Sequence, residues 1–312
     1  MKRICILALC LFSALAESAQ GWNRTGHMVI AYIAYSELDA KTKQRVDALL
    51  QKHPDYLKWV EQRSAPNVGR GRTAFLAAAA WPDRIRDDPR FFDDNEPTKA
   101  PAYGFPDLGR HQMWHYRDAP FTMDGTPIPK RIVSPNALTQ LVLFRNSIGN
   151  PSIPDSIQVY ELPWLLHLVG DIHQPLHCVS RFTRTQRDPA TGVYFGDQGG
   201  NLVFVSGERN LHAYWDQLLG SEENEGAVAA LARDLMNSVR LESPVKTDPQ
   251  VWAEESFKIA TEFVYSFGAG GSKERPARLG FRYRTMATSV ARKQAAAAGS
   301  RLAATLRALL GN

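Results

Sequence analysis

The chain has 312 residues, 37 lysines and arginines against 32 aspartates and glutamates, a net charge of +5, 44% apolar residues and 3 cysteines. That composition excludes a disordered chain, a collagen-like fibre and a disulfide-stapled miniprotein, and the length suits one large domain or two modest ones. The positive balance is mild: it permits an anionic partner without demanding one.

Lys2 and Arg3 open a short basic region, and Ile4 to Ala16 is an apolar run of 13 residues. A membrane-spanning helix needs roughly 20 residues, so the run fits the core of a secretory signal instead. Ala19 and Gly21 supply the small residues a signal peptidase reads, and cleavage after Gly21 would leave Trp22 as the mature terminus. Cys10 fits a lipoprotein signal less well, because the bulky Leu9 precedes it. Residues 1–21 are therefore expected to be a signal peptide and 22–312 the mature domain. Removing 21 residues, of which Lys2 and Arg3 are basic and Glu17 acidic, leaves 291 residues with a net charge of +4. Cys178 then stands alone, so no internal disulfide can form, and a metal is the obvious alternative cross-link.

Along the mature chain, Trp22 to Leu50 reads as helix, with Val29, Ile30, Ile33, Ala34 and Leu38 at helical spacing. Thr73 to Trp81 is a second, shorter helix ending near Pro82. Residues 87–135, rich in Pro, Asp and Gly, read as mostly loop. Asn136 to Ile148 is helical, and Ile153 to Gln174 is a longer apolar helix in which Pro163 predicts a kink or a later start. Residues 181–200 read as a polar loop, Asn201 to Val205 as the best strand candidate, and Ser206 to Asn210 as a turn. Helices follow at roughly 225–240, 250–267 and 284–309. The expected architecture is mainly α, a single-domain helical bundle with a small β-hairpin and long functional loops.

The strongest local pattern is His167-Leu-Val-Gly-Asp171-Ile-His173-Gln-Pro175-Leu-His177. His167 and Asp171 are four apart and share one helix face, and Pro175 would let His177 turn back beside them. His212 and Asp216 repeat the His-x-x-x-Asp spacing. Neutral imidazole and carboxylate suit zinc, and adjacent helices can present them inward. A lone His would read as a surface or core residue; two such pairs on apolar helices are costly to bury without a compensating ion. His53 reads as exposed in a polar stretch, His111 as no ligand, and His173 as structural. Asn23 opens a glycosylation pattern set against the candidate site, and the basic C-terminal helices read as solvated faces.

Trp22-Asn-Arg-Thr-Gly-His27, Trp81-Pro-Asp83-Arg-Ile-Arg86, Trp114-His115-Tyr116-Arg-Asp118, the central motif, Gly196-Asp-Gln-Gly-Gly-Asn201 and Leu211-His212-Ala-Tyr-Trp-Asp216 occur in one order. That order resembles the exported, zinc-dependent, single-strand-preferring nuclease and 3′-nucleotidase family of fungi, plants and bacteria. The likeness runs from Trp22 to at least Asp216. It implies a trinuclear zinc cleft: one ion on Asp83, His115, His167 and Asp171, a second on His177, His212 and Asp216. The third would use His27, Asp171 as a bridge, and the free amine and carbonyl of Trp22, which requires processing after Gly21. It further implies Arg86 beside the phosphate, Asn201 anchoring the site loop or touching substrate, and Tyr116 and Asp118 at the base. For Arg86 a surface ion pair, and for Tyr116 and Asp118 a packed ring and a solvent-facing carboxylate, are the plainer alternatives.

The implied reaction is attack of a zinc-bound hydroxide on phosphorus, cutting single-stranded RNA and DNA to 5′-nucleotides and removing 3′-phosphates. Single-stranded nucleic acid and 3′-nucleotides are the expected substrates, in the periplasm or medium and without a lasting membrane anchor. Two rivals remain: a zinc-dependent phospholipase C, which resembles the same fold, and a non-catalytic zinc-binding protein. The chain lacks the cysteine pairs common in fungal and plant members, which points to a bacterial-type member more dependent on zinc for its fold. Its loop from Asp87 to Arg110 is hard to align.

Overall fold

The computed structural model describes residues 21–61, 69–241, 243, 245–268 and 271–311. The expected signal segment, apart from Gly21, lies outside the described residues. Among them, α1 (Arg24–Glu37), α4 (Arg70–Ala79), α7 (Asp155–Asp171) and α11 (Phe281–Leu310) pack together at the centre. Helix α1 is buried through Met28, Val29, Ile30, Ala31, Ile33 and Ala34, several of them off a single stripe, which places it inside rather than on the surface. The Ala-rich tail lets α11 lie close to it: a Cβ on Gly299 would fall 2.6 Å from Ile33 Cβ and 3.1 Å from the Ile30 carbonyl.

The expected helix over 22–50 is two. Leu38 turns extended, and Asp39 caps α2 (Ala40–Gln51) by accepting from Thr42 N at 2.8 Å. A short α3 (Tyr56–Glu61), unmarked in the sequence, follows. His53 is buried rather than exposed: the turn after α2 tucks its ring against Trp59 at 4.3 Å and Trp81 at 5.0 Å. After α5 (Trp81–Arg84) the chain is largely irregular up to α6 (Ala137–Ser147), which Asn136 and Thr139 open with a reciprocal capping box. Pro163 sits inside α7 without ending it; burial of every residue from Gln158 to Asp171 overrides the lost backbone donor.

Half of the expected loop over 181–200 is instead sheet. β1 (Ala119–Thr122) runs parallel to β2 (Val179–Arg187), which pairs antiparallel with β3 (Tyr194–Gly196). The polar outer half of β2 hid the strand. Asn201 to Val205 is not a strand: Val203 and Val205 are buried, but only Val205 makes a bridge, to Ala277. Its apolar run reflects burial, not pairing. α8 (Leu211–Asp216), α9 (Glu225–Ser238) and α10 (Pro249–Ile259), which runs on into a π-helical turn over Ala260–Val264, complete the bundle before α11.

The core has two parts. One is built on α1, α4 and α7; the other gathers Leu176, Val179, Val203, Leu211, Trp215, Tyr265 and Tyr283. The segment 172–179 crosses between them, with Ile172 and Cys178 in the first and Leu176 and Val179 in the second. Cys178 is buried and free. No helix among the described residues is long and apolar enough to cross a membrane.

Candidate metal centre

Eight predicted ligand side chains converge where the two core parts meet. His27 comes from α1, Asp83 from α5, His167 and Asp171 from α7, and His212 and Asp216 from α8. His115 and His177 come from 3-10 turns, Gln112–His115 and Pro175–Cys178. All eight are at most 5% exposed. The helical i, i+4 spacing does what the sequence predicts: His167 Nε2 lies 3.1 Å from Asp171 Oδ2, and His212 Nε2 lies 3.6 Å from Asp216 Oδ2.

Asp171 is the hub. Its Oδ2 also lies 3.0 Å from His115 Nδ1, while Oδ1 lies 3.4 Å from His27 Nε2 and 3.7 Å from His177 Nδ1. Three groups have donor atoms within 4.8 Å of one another: His27, His167 and Asp171; Asp83, His115 and His167; and His177, His212 and Asp216. Each could hold a metal ion.

The donor chemistry fits cations. His167 Nδ1 lies 2.8 Å from the Ala79 carbonyl, His177 Nδ1 2.6 Å from the His115 carbonyl, and His212 Nδ1 2.7 Å from the Gly199 carbonyl. A carbonyl only accepts, so each Nδ1 carries a proton and each ring turns its Nε2 inward, where it offers a lone pair whenever the ring is neutral. His177 and His212 thereby set two lone pairs 3.1 Å apart, an arrangement a shared cation relieves. Both ring nitrogens of His27, both oxygens of Asp83, His115 Nε2 and Asp171 Oδ1 have no hydrogen-bond partner. So many orphaned polar atoms in one buried pocket are expensive unless an ion draws them together.

Electrostatics agree. Burial, followed by the neighbouring Asp83 and Asp171, pushes the Asp216 carboxyl well above its usual range. Burial also raises Asp171, but the facing His167 and His177 outweigh it and hold that carboxyl well below the ordinary value. Burial and the Arg86 guanidinium bring His115 down to about 3. Gln174, not marked by the sequence reading, ties the parts together: its Oε1 accepts from Leu176 N and its Nε2 donates to Asp216 Oδ1 at 2.8 Å.

The remaining candidates fall around this centre. Trp22 is fully buried, and a Cβ on the preceding Gly21 would fall 1.8 Å from Asp171 Oδ1 and 3.1 Å from His177 Cε1. The backbone at the expected cleavage point therefore lies against the hub carboxylate. Arg86 is no surface ion pair: its side chain is 7% exposed, 3.4 Å from Asp83 and bonded to the Tyr116 hydroxyl. The Tyr116 ring centroid is 4.9 Å from that of His177. Asp118 is partly covered, and burial, then Asp197, pushes its carboxyl up to about 7. Asn201 donates to the Gln198 carbonyl at 2.7 Å and accepts from Asn210, which makes it an anchor of its loop.

His111 stands apart, stacked on Trp114 and paired with Asp107. His173 points away from the centre, with Nε2 2.8 Å from Arg301 Nη1. Asn23 spends its side chain on capping α1 and on the Gly220 carbonyl.

Residues 22–311 match the model of the S1/P1 nuclease family. The chain belongs to that family. Among its relatives, Endonuclease 5 of Arabidopsis thaliana is 25% identical over 338 residues, covering 97% of this chain and 95% of the relative. Endonuclease 4 of the same plant is 26% identical over 97% of this chain and 93% of its own length. Nuclease S1 of Aspergillus oryzae is 24% identical over 70% of this chain and 62% of the relative. As a member of the S1/P1 family the chain is a nuclease, and its buried His and Asp groups are the part of the fold suited to metal ions.

Proposed function

We propose that this nuclease is an exported, zinc-dependent endonuclease and 3′-nucleotidase that cuts single-stranded RNA and DNA to 5′-nucleotides. The observation that carries the reading is the pair of inward Nε2 atoms on His177 and His212, 3.1 Å apart and grouped with Asp216. Five imidazoles and three carboxylates, with no thiolate, suit zinc better than a hard, oxygen-seeking cation. Asp83, His115, His167 and Asp171 would hold one ion, and His177, His212 and Asp216 a second. His27, Asp171 and the amine and carbonyl of Trp22 would hold a third. That last role requires processing after Gly21, because a peptide-bonded nitrogen is a poor ligand.

Zinc so held lowers the pKa of water and neutralises charge on a phosphoryl group. The chain's own residues supply the rest. Arg86, restrained by Asp83 and Tyr116, presents a guanidinium to phosphate oxygens. Tyr116 offers a ring face to a base, a contact that tolerates any sequence, and the Asp118 carboxylate accepts from a base amino group. A base inside a duplex cannot reach such a shelf, so single strands are preferred. Asn201 holds the loop that carries Gly199.

The test is metal content of the protein beginning at Trp22, with parallel assays on single-stranded DNA, 3′-nucleotides and phosphatidylcholine. About three zinc ions per chain and chelator-sensitive cleavage of nucleic acid are expected. Cleavage of phosphatidylcholine but not of nucleic acid would overturn the proposal.

A further inference from the structure

Away from the metal centre, α10, α11 and the segment after α9 border an open cavity of about 290 Å³. Its walls carry Lys246, Lys258, Lys293 and Arg301 against one carboxylate, Glu255, and an apolar side that includes Val245 and Ile259. Among the described residues that line it, four cations face one anion. Glu262, 3.9 Å from Lys258, and Glu37, which accepts from the lining Ser300 at 2.7 Å, offset part of the excess and leave the wall net positive. Lys293 has no carboxylate partner among the described residues.

Arg301 is no floppy surface charge. It is 9% exposed, donates to His173 Nε2 at 2.8 Å through Nη1 and pairs with Glu255 through Nη2. A guanidinium only donates, so His173 is neutral, with its Nδ1 proton on the Val169 carbonyl at 2.7 Å. Glu255 also takes Lys246 at 2.9 Å. The cationic wall is thus preassembled before any ligand arrives. A net positive wall of several N–H donors suits a phosphate group, which as a phosphomonoester carries about −1.5 to −2 near neutral pH.

We propose that this cavity binds a phosphate-bearing anion, its phosphate between Lys246, Lys293 and Arg301 and any organic part along the Val245 and Ile259 wall. The site lies outside the nuclease cleft and stands whether or not the zinc reading holds.

The test is calorimetric titration of the full, metal-loaded protein with inorganic phosphate and, separately, with adenosine 5′-monophosphate. Wild type is compared with Lys246→Gln/Lys293→Gln and with a control of equal charge loss elsewhere, Lys130→Gln/Lys273→Gln; all four lysines are exposed. The cavity event should weaken at least about tenfold in the first variant only, with nuclease activity unchanged. Tighter binding of the nucleotide would assign the organic phosphomonoester, and equal binding free phosphate. If the zinc reading fails, the cleft event is missing from wild type while the lysine-dependent event remains. Isotherms that match between wild type and the first variant, or that weaken equally in the control, overturn the proposal.

Discussion

Asp171 offers the most searching test, because one carboxylate faces four imidazoles at 3.0 to 3.7 Å. Asp171→Asn keeps the volume but removes the charge and turns one oxygen into an N–H donor. That donor must then point either at His115 and His167 or at His27 and His177. In the proposed ligand sets two of the three ions use Asp171, whereas the group His177, His212 and Asp216 does not. The variant should therefore keep about one ion of three. An ion present at a hundredfold excess over its dissociation constant stabilises the fold by about 2.7 kcal/mol, so losing two removes roughly 5 kcal/mol. For a chain of this size that lowers Tm by about 10 °C, at roughly 2 °C per kcal/mol. Cleavage of single-stranded DNA should fall by at least about 10³-fold, since several kcal/mol of charge stabilisation leave with the ions. Plasma mass spectrometry after dialysis, a melting curve and a fluorogenic DNA assay read the three quantities. A variant that retains three ions, or that melts within about 2 °C of the wild type, refutes the hub role.

Arg86→Ala should lower kcat/KM on single-stranded DNA about 10²-fold while ion content is unchanged; a loss of ions instead would assign Arg86 to holding Asp83. Gly199→Ala forces a residue with φ of +59° and a Cβ 2.3 Å from the Leu176 carbonyl, so the Gly199 carbonyl should leave His212 and ion content should drop by one. Native Zn content in that variant counts against the carbonyl's role. One extra residue ahead of Trp22 should cost the ion held by His27 and the terminus; full occupancy removes Trp22 from the ligand set. Burial lowers His53 from 6.5 to about 3, so the unfolded chain takes up a proton that the fold refuses. Its contribution to stability is complete above pH 6.5 and is lost as the pH falls from 6.5 toward 3, by up to about 1.4 kcal/mol per pH unit. His53→Phe should flatten the slope of stability against pH near pH 5 by about one proton, and an unchanged slope would mean that His53 is protonated in the fold.

What was legible in the sequence was what periodicity encodes. His167 with Asp171 and His212 with Asp216 lie at helical spacing, and the structure brings each pair to within 3.6 Å. The helices expected over Asn136–Ile148 and Ile153–Gln174 are present as α6 and α7. Illegible was what depends on a partner distant in the chain. β2 is polar over half its length and is a strand because β1 and β3 lie beside it. His53 looked exposed because its neighbours in sequence are polar, whereas its neighbours in space are Trp59 and Trp81. Likewise no pattern in the sequence marks Ala79, His115 or Gly199 as the residues whose carbonyls orient the rings of three candidate ligand histidines.

The C-terminal helices carry this point furthest, since in sequence they read as basic, solvated faces. Helix α7 ends at Asp171, and the carbonyls of Ile172 and His173 that follow need partners. Ser256 on α10 donates to the Ile172 carbonyl at 2.7 Å, and Gln294 on α11 donates to the His173 carbonyl at 3.0 Å. Arg301, also on α11, fixes the His173 ring. The five residues between Asp171 and His177 are therefore clamped from behind by two helices that contribute no ligand. Metal ligands must hold position within a few tenths of an ångström, and this segment carries a candidate ligand at each end. The outer faces of α10 and α11 are solvated as the sequence suggests. Their inner faces fix the turn on which the geometry of the centre depends, which is why a ligand-free part of the chain belongs to the nuclease as fully as the histidines do.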